Sequence, residues 1–180
     1  MGAVPALVRR PHTTKRRIAR YNGGVEAHPV IGHVHLKVSD LERAVVFYRD
    51  VLGMDVQQRY GAAAAFLSWG GYHHHLGLNV WESRGGSPPP RNSTGLYHAA
   101  ILYPDRASLA RAVKRVIESG TPILGAADHG VSEAVYLSDP DGNGLELYRD
   151  RPESEWPRRG GELVMVTDPL DLDALLAEAD

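Results

Sequence analysis

The stretch IGHVHLKVSDLERAVVFY, residues 31–48, decides the fold of this chain because a second stretch repeats its order. The second stretch is GLYHAAILYPDRASLARAV, residues 95–113. In each stretch, alternating apolar residues predict a strand, and a capping residue followed by apolar residues at helical spacing predicts a helix. The predicted caps are Ser39 and Asp105, and a histidine opens each strand, His33 in the first stretch and His98 in the second.

Three further strands are predicted after each helix, with glycines at the breaks between them. They cover residues 54–60, 63–69 and 72–81 in the first block, and 122–126, 132–138 and 144–149 in the second. The sequence therefore predicts an α+β fold: two βαβββ units that form one curved-sheet module with the helices outside.

The 180-residue chain divides into a central module and two different ends. Residues 1–29 form a basic segment that we expect to be a flexible extension. The module covers residues 30–150, with a first unit at 30–81, a linker rich in glycine and proline at 82–94, and a second unit at 95–150. Residues 151–180 form a tail, and its last part predicts a short acidic helix that packs on the domain or on a second subunit.

The composition excludes several classes of protein. The chain has no cysteine, so disulfides and thiolate metal sites are excluded. A net charge of -2 argues against a nucleic-acid-binding protein. No apolar run approaches the roughly 20 residues that span a bilayer, so we expect no membrane segment and a cytoplasmic location.

Two imidazoles and one carboxylate lie at equivalent places in the repeated blocks: His33, His98 and Glu146. This is the ligand set of a facial-triad metal site, which leaves coordination positions open for chemistry. Glu146 is flanked by Leu145 and Leu147, so it points to the opposite face of its strand from them. A carboxylate inside a curved sheet is costly unless it is paired or bound to a metal. The sequence therefore predicts a metal site held by these three residues.

Three motifs together resemble a known family. They are H-V-x-L-x-V-x-D-L-x-x-A-x-x-F-Y at residues 33–48, the histidine at 98, and D-P-D-G-N-x-x-E-L at residues 139–147. This combination resembles the vicinal oxygen chelate superfamily, which includes glyoxalase I, bleomycin-resistance proteins, fosfomycin-resistance enzymes and type I extradiol dioxygenases. The resemblance covers about residues 30–150. It implies the fold more specifically than the reaction, because members share a scaffold and differ in chemistry.

The chain is most similar to the extradiol dioxygenases of the catechol 2,3-dioxygenase type. Tyr136 stands ten residues before Glu146, which resembles the spacing of the active-site tyrosine in those enzymes. The resemblance implies six site residues: His33, His98 and Glu146 as metal ligands, His74 as the acid–base histidine, His129 as a hydrogen-bond donor to the substrate oxygen, and Tyr136 as the active-site tyrosine.

The same resemblance implies the reaction and its partners. An Fe(II)-dependent enzyme of this type cleaves the ring of a catechol with dioxygen, and the metal's open positions take both reactants. Mn(II), Zn(II) or Ni(II) are alternative metals. The catechol enzymes carry two such modules and this chain carries one, so we expect a homodimer with a small aromatic diol and O2 as substrates.

Three alternatives stay open at this point. The chain could be a glyoxalase-like isomerase or lyase that uses a non-redox metal, or a non-enzymatic protein that binds a small molecule of the antibiotic type. Within the triplet His73, His74 and His75, alternation along a strand sends His74 to one face and its neighbours to the other. His75 could therefore face the metal in place of His74.

Overall fold

The structure, a computed structural model, describes residues 29–179. The predicted basic extension, residues 1–29, lies outside the described residues except for Pro29. Among the described residues, no helix is both long enough and apolar enough to cross a membrane.

The first unit contains one mixed sheet and one helical segment. Its elements are β1 (Val34–Lys37), α1 (Leu41–Val46) with a π-helical turn (Phe47–Val51), β2 (Asp55–Tyr60), β3 (Ala64–Ser68) and β4 (Leu76–Asn79). The strand order is β1-β4-β3-β2, with β1 parallel to β4. The cap of α1 is Asp40, whose side chain accepts a hydrogen bond from the Arg43 amide. The prediction of Ser39 as the cap is wrong, because its hydroxyl bonds to Asp141 instead.

The second unit repeats this arrangement. Its elements are β5 (Ala99–Leu102), α2 (Arg106–Glu118), β6 (Ile123–Asp128), β7 (Ser132–Ser138) and β8 (Gly144–Asp150). The order β6-β7-β8-β5 matches that of the first sheet, and β5 is again parallel to β8. Asp105 caps α2 as predicted, by accepting from the Ser108 amide at 2.6 Å. The α+β prediction is confirmed.

One hydrophobic core joins the two units. Leu67 and Leu78 from the first sheet and Leu137 and Leu147 from the second are almost fully buried in the same cluster. Each such side chain contributes about 1.5–3 kcal/mol through burial. Both units therefore depend on the same apolar contacts.

The Asp-Pro-Asp-Gly turn before β8 fastens the second unit to the first helical segment. The Tyr48 hydroxyl donates to Asp139 at 2.9 Å. Asp141 accepts from the amide and hydroxyl of Ser39 and from the Arg43 guanidinium. These bonds join residues about 100 positions apart in sequence, so the turn has a structural role between the units.

The C-terminal tail lies along the outer edge of the second sheet. It contains a 3-10 turn (Glu153–Glu155), β9 (Arg158–Arg159), β10 (Glu162–Leu163), β11 (Asp168–Pro169) and α3 (Leu172–Leu176). β11 pairs antiparallel with β6. Leu175 is fully buried in the core, and Arg106 donates to the Ala174 carbonyl at 3.2 Å. The tail is therefore attached at both a sheet edge and a helix.

Candidate metal and active site

Glu146 and Tyr136 lie side by side on one face of the second sheet. They are directly opposite each other on β8 and β7. Leu145 and Leu147 are buried in the core, so alternation along β8 turns Glu146 away from it. The Tyr136 hydroxyl lies 3.3 Å from Glu146 Oε1. The sheet therefore places a carboxylate and a phenol together.

His98 reaches the same carboxylate from the position just before β5. Its Nε2 lies 2.9 Å from Glu146 Oε2. This approach depends on Gly144, the first residue of β8. A Cβ at that position would collide with the Tyr97 carbonyl oxygen and lie 3.2 Å from the Cβ of His98. The glycine therefore lets the chain before β5 come close to β8.

His129 extends this arrangement at the end of β6. Its Nε2 lies 2.7 Å from the Tyr136 hydroxyl, and its Nδ1 lies 2.8 Å from the Val166 carbonyl oxygen. A continuous series of close polar contacts thus runs from Val166 through His129, Tyr136 and Glu146 to His98. We call this series the polar chain.

The environment of Tyr136 keeps its phenol protonated. Burial, together with the negative charge and hydrogen bond of Glu146, raises the pKa of Tyr136 to about 12. Near neutral pH the hydroxyl therefore carries one proton that it can donate. A substrate oxygen placed beside it would meet a neutral phenol and not a phenolate.

The other predicted site histidines lie in the first unit. The rings of His33 and His74 are 4.4 Å apart, and His74 packs edge-on against Phe66 at 5.2 Å. The Nδ1 atoms of His73 and His74 are 2.7 Å apart. Burial, and then the proximity of His33, lower the pKa of His74 below its ordinary value. His74 is therefore mostly neutral near pH 7.

The prediction that the histidine triplet lies within a strand is wrong. β4 begins only at Leu76, and the triplet precedes it in an irregular segment. His75 lies by Tyr72, with ring centroids 4.7 Å apart, and its Nδ1 accepts from the Trp69 amide at 3.4 Å. The structure thus groups His74, and not His75, with His33.

The fit of a metal ion can be tested on the distances between candidate ligands. Two ligand atoms about 2.1 Å from an ion at a right angle are roughly 3 Å apart. The 2.9 Å between His98 Nε2 and Glu146 Oε2 matches this value. Across residues 29–179, however, no group of three histidine, aspartate or glutamate side chains could hold an ion. The distance between His98 and Glu146 therefore fits two ligands of one metal ion. His33 lies instead beside His74 in the first unit.

Sequence reasoning missed two contributors to this region. Gly144 carries a usable signal, because it begins the predicted ligand strand, but the sequence does not show what it approaches. The Val166 carbonyl carries no signal, because every residue has a carbonyl group. Only the packing of the tail brings it to His129.

The sequence also matches a family pattern over residues 30–147, described as the Glyoxalase/Bleomycin resistance protein/Dioxygenase superfamily. The chain belongs to this superfamily. The resemblance inferred from the three motifs is thus confirmed, and the chain is a member of a group built largely of enzymes that act on small molecules.

Two relatives within the superfamily narrow the comparison. The chain is 45% identical over 152 residues to catechol-2,3-dioxygenase from Bacillus subtilis, which covers 83% of this chain and 52% of that protein. It is 31% identical to biphenyl-2,3-diol 1,2-dioxygenase 3 from Rhodococcus globerulus, over 74% of this chain and 72% of that one. The chain therefore spans about half the length of the Bacillus relative.

A solved superfamily structure shares the fold. It is a glyoxalase/dioxygenase from Nostoc punctiforme, with a TM-score of 0.57 and 22% identity, covering 68% of this chain and 92% of that one. At this identity the likeness concerns the fold alone. The polar chain and the two dioxygenase relatives of higher identity are what bear on the reaction.

Proposed function

We propose that this protein is a metal-dependent extradiol dioxygenase that cleaves the ring of a catechol-type substrate with O2, and that Fe(II) is its metal. The polar chain carries this proposal, because it places an imidazole, a carboxylate, a phenol and a second imidazole on one face of a sheet. The 45% identity to a catechol-2,3-dioxygenase supports the same reaction class.

Three residues would hold the metal: His33, His98 and Glu146. A divalent iron with this ligand set supplies open positions at which a diol and dioxygen are held side by side. The distance between His98 and Glu146 supports two of the three assignments. His33 precedes β1 and lies beside His74 in this structure, so it would have to move toward His98 and Glu146 to complete the set.

The remaining site residues would act on substrate oxygens and protons. Tyr136 and His129 would orient the diol and stabilise charge on its oxygens through hydrogen bonds. His74 is mostly neutral near pH 7, so it can accept a proton from the diol and later return it. The substrate would thus lie between the polar chain of the second unit and the histidines of the first.

A homodimer is part of the proposal. The Bacillus relative has about twice the length that this chain matches, so a second copy would take the place of the additional length. β1 and β5 each end a sheet, and both are therefore available at an edge. We propose that each copy holds its own metal through its own His33, His98 and Glu146.

The first experiment measures the metal content of protein purified without oxygen and without added metal, beside His98→Ala. We expect about one iron per chain, lost in the variant, and oxygen uptake with at least one catechol in a broad panel. An iron-loaded protein that consumes no oxygen with any catechol contradicts the proposal. Turnover with zinc or nickel in the absence of oxygen would instead favour the glyoxalase-like reaction.

A mixing experiment tests which copy supplies His33. His33→Ala and His98→Ala are co-expressed with different tags, and the mixed dimer is isolated and assayed for metal. We expect no metal, because each copy lacks one ligand of its own site. Recovery of one metal per mixed dimer would show that the ligands are shared between copies.

A further inference from the structure

We infer that the C-terminal tail takes part in forming the site: the Val166 carbonyl fixes the tautomer of His129 and thereby presents an acceptor atom of His129 to Tyr136. Val166 would act as a positioning residue in this role. The catalytic consequence rests on the proposed function, whereas the tautomer itself does not.

The tautomer follows from the donor and acceptor inventory of the three groups. A backbone carbonyl can only accept, so the 2.8 Å contact with Val166 requires a hydrogen on His129 Nδ1. In a neutral imidazole Nε2 then holds a lone pair. That lone pair lies 2.7 Å from the Tyr136 hydroxyl, so it competes with Glu146 Oε1, 3.3 Å from the same hydroxyl, for the one phenol proton.

The Tyr136 proton has two acceptors within reach, His129 Nε2 at 2.7 Å and Glu146 Oε1 at 3.3 Å. The other His129 tautomer would place a second donor against the phenol and leave Glu146 as the acceptor. The tail would thus keep His129 able to accept the phenol proton, while Tyr136 stays able to donate it to a substrate oxygen.

Several contacts hold the Val166 carbonyl in place. The Val166 amide donates to the His129 carbonyl at 3.1 Å, so the two residues bond in both directions. The following residues pair with β6 through β11 and end in α3. The tail is therefore anchored on both sides of the contact.

Gly130 gives independent support for a specific contact between the tail and His129. Its φ of +74° is in the region that favours glycine, and a Cβ there would lie 2.7 Å from Pro157 and 3.3 Å from Val166. Any larger residue would push the tail away from His129. The tail also lies outside the superfamily match, which ends at residue 147.

The test is nitrogen-15 NMR of the histidine rings in the full-length, metal-free protein, with His129 assigned by the signal missing in His129→Gln. We expect a protonated Nδ1 and an unprotonated Nε2 for His129 in the wild type. A proton on Nε2 instead would overturn the proposal, and this measurement needs no further variant.

A matched pair of variants then tests the role of the tail. Val166→Pro removes the amide that docks the segment on His129, and Val164→Pro removes the neighbouring bond from Val164 to the Pro157 carbonyl. We expect a mixture of His129 tautomers in Val166→Pro and the wild-type tautomer in Val164→Pro. An unchanged tautomer in a folded Val166→Pro protein would overturn the proposal.

Activity separates this inference from the proposed function. With a catechol that the wild type turns over, we expect kcat to fall about 10-fold in Val166→Pro and less than about 2-fold in Val164→Pro. If the wild type turns over no catechol, the proposed function fails, while the NMR result still decides the tautomer.

Discussion

The two units share one backbone plan but present different side chains at the same places. In the first sheet Val34 lies opposite Leu76, and in the second Ala99 lies opposite Leu145. The position of Glu146 in the second unit therefore corresponds to Gly77 in the first. Their cross-strand neighbours correspond as well: Tyr136 beside Glu146, and Phe66 beside Gly77.

This difference explains why the polar chain exists in only one unit. Over Gly77 lies the ring of His35, within about 3 Å of where a Cβ would stand, and it meets Phe66 edge-on at 5.9 Å. In the second unit the corresponding space holds the carboxylate and phenol of the polar chain. The repeat supplies equivalent strand positions, and the side chains at those positions decide the chemistry.

The largest contrast is expected between Glu146→Gln and Gly77→Ala, which alter equivalent positions. Glu146→Gln should lower metal affinity and catechol turnover on the order of 100-fold, because an amide replaces a charged ligand. Gly77→Ala should keep its metal, because only the His35 ring needs to shift. Metal analysis after dialysis checks both variants. Full metal retention in Glu146→Gln would remove Glu146 from the ligand set.

The next contrast concerns the cross-strand neighbours, Tyr136 in the second unit and Phe66 in the first. Tyr136→Phe removes the hydroxyl that contacts His129 and Glu146, and turnover should fall about 30-fold with little change in thermal stability. Phe66→Tyr adds a hydroxyl to the first unit and should change turnover less than about 2-fold. Steady-state kinetics with the same catechol measure both. Equal losses in the two variants would mean that the phenol has no special role.

A third prediction concerns the junction between the units. Asp141→Ala should lower the free energy of unfolding by about 1–2 kcal/mol, because the part-buried Ser39 amide and hydroxyl and the exposed Arg43 guanidinium lose their common acceptor. Glu42→Ala removes only an exposed ion pair with Arg59 and should cost about 0.5 kcal/mol. Urea unfolding measures both. Similar costs for the two variants would show that the turn does not fasten the units.

The smallest effect is a pH dependence that arises in the first unit. Burial, and then His73, lower the pKa of His75 in the folded state. The unfolded chain therefore binds a proton more readily, and stability falls as the pH drops below about 6.5. In metal-free protein, the urea midpoint of His75→Gln should fall less between pH 7.5 and pH 5.5 than that of the wild type. An equal fall of the urea midpoint in the two proteins would contradict His75 as the origin of the pH dependence.

Much of the candidate site could be predicted because it follows from local patterns. The repeat pointed to His33, His98 and Glu146, the family resemblance pointed to Tyr136, and strand alternation correctly turned Glu146 away from its leucine neighbours. The same rule failed at residues 73–75, because alternation applies only inside a strand and β4 begins later. The cap of α1 was misplaced by one residue because Ser39 has a distant competing partner, Asp141.

The sequence alone determined the α+β repeat, the family and the residue types available for chemistry, since these depend on periodicity and on motifs that are short in sequence. The tertiary structure alone decided which of those residues meet. It joined Val166 to His129 across 37 positions and left His33 beside His74. Such contacts depend on how the tail and the two sheets pack, and no local pattern encodes a backbone carbonyl that becomes part of a site.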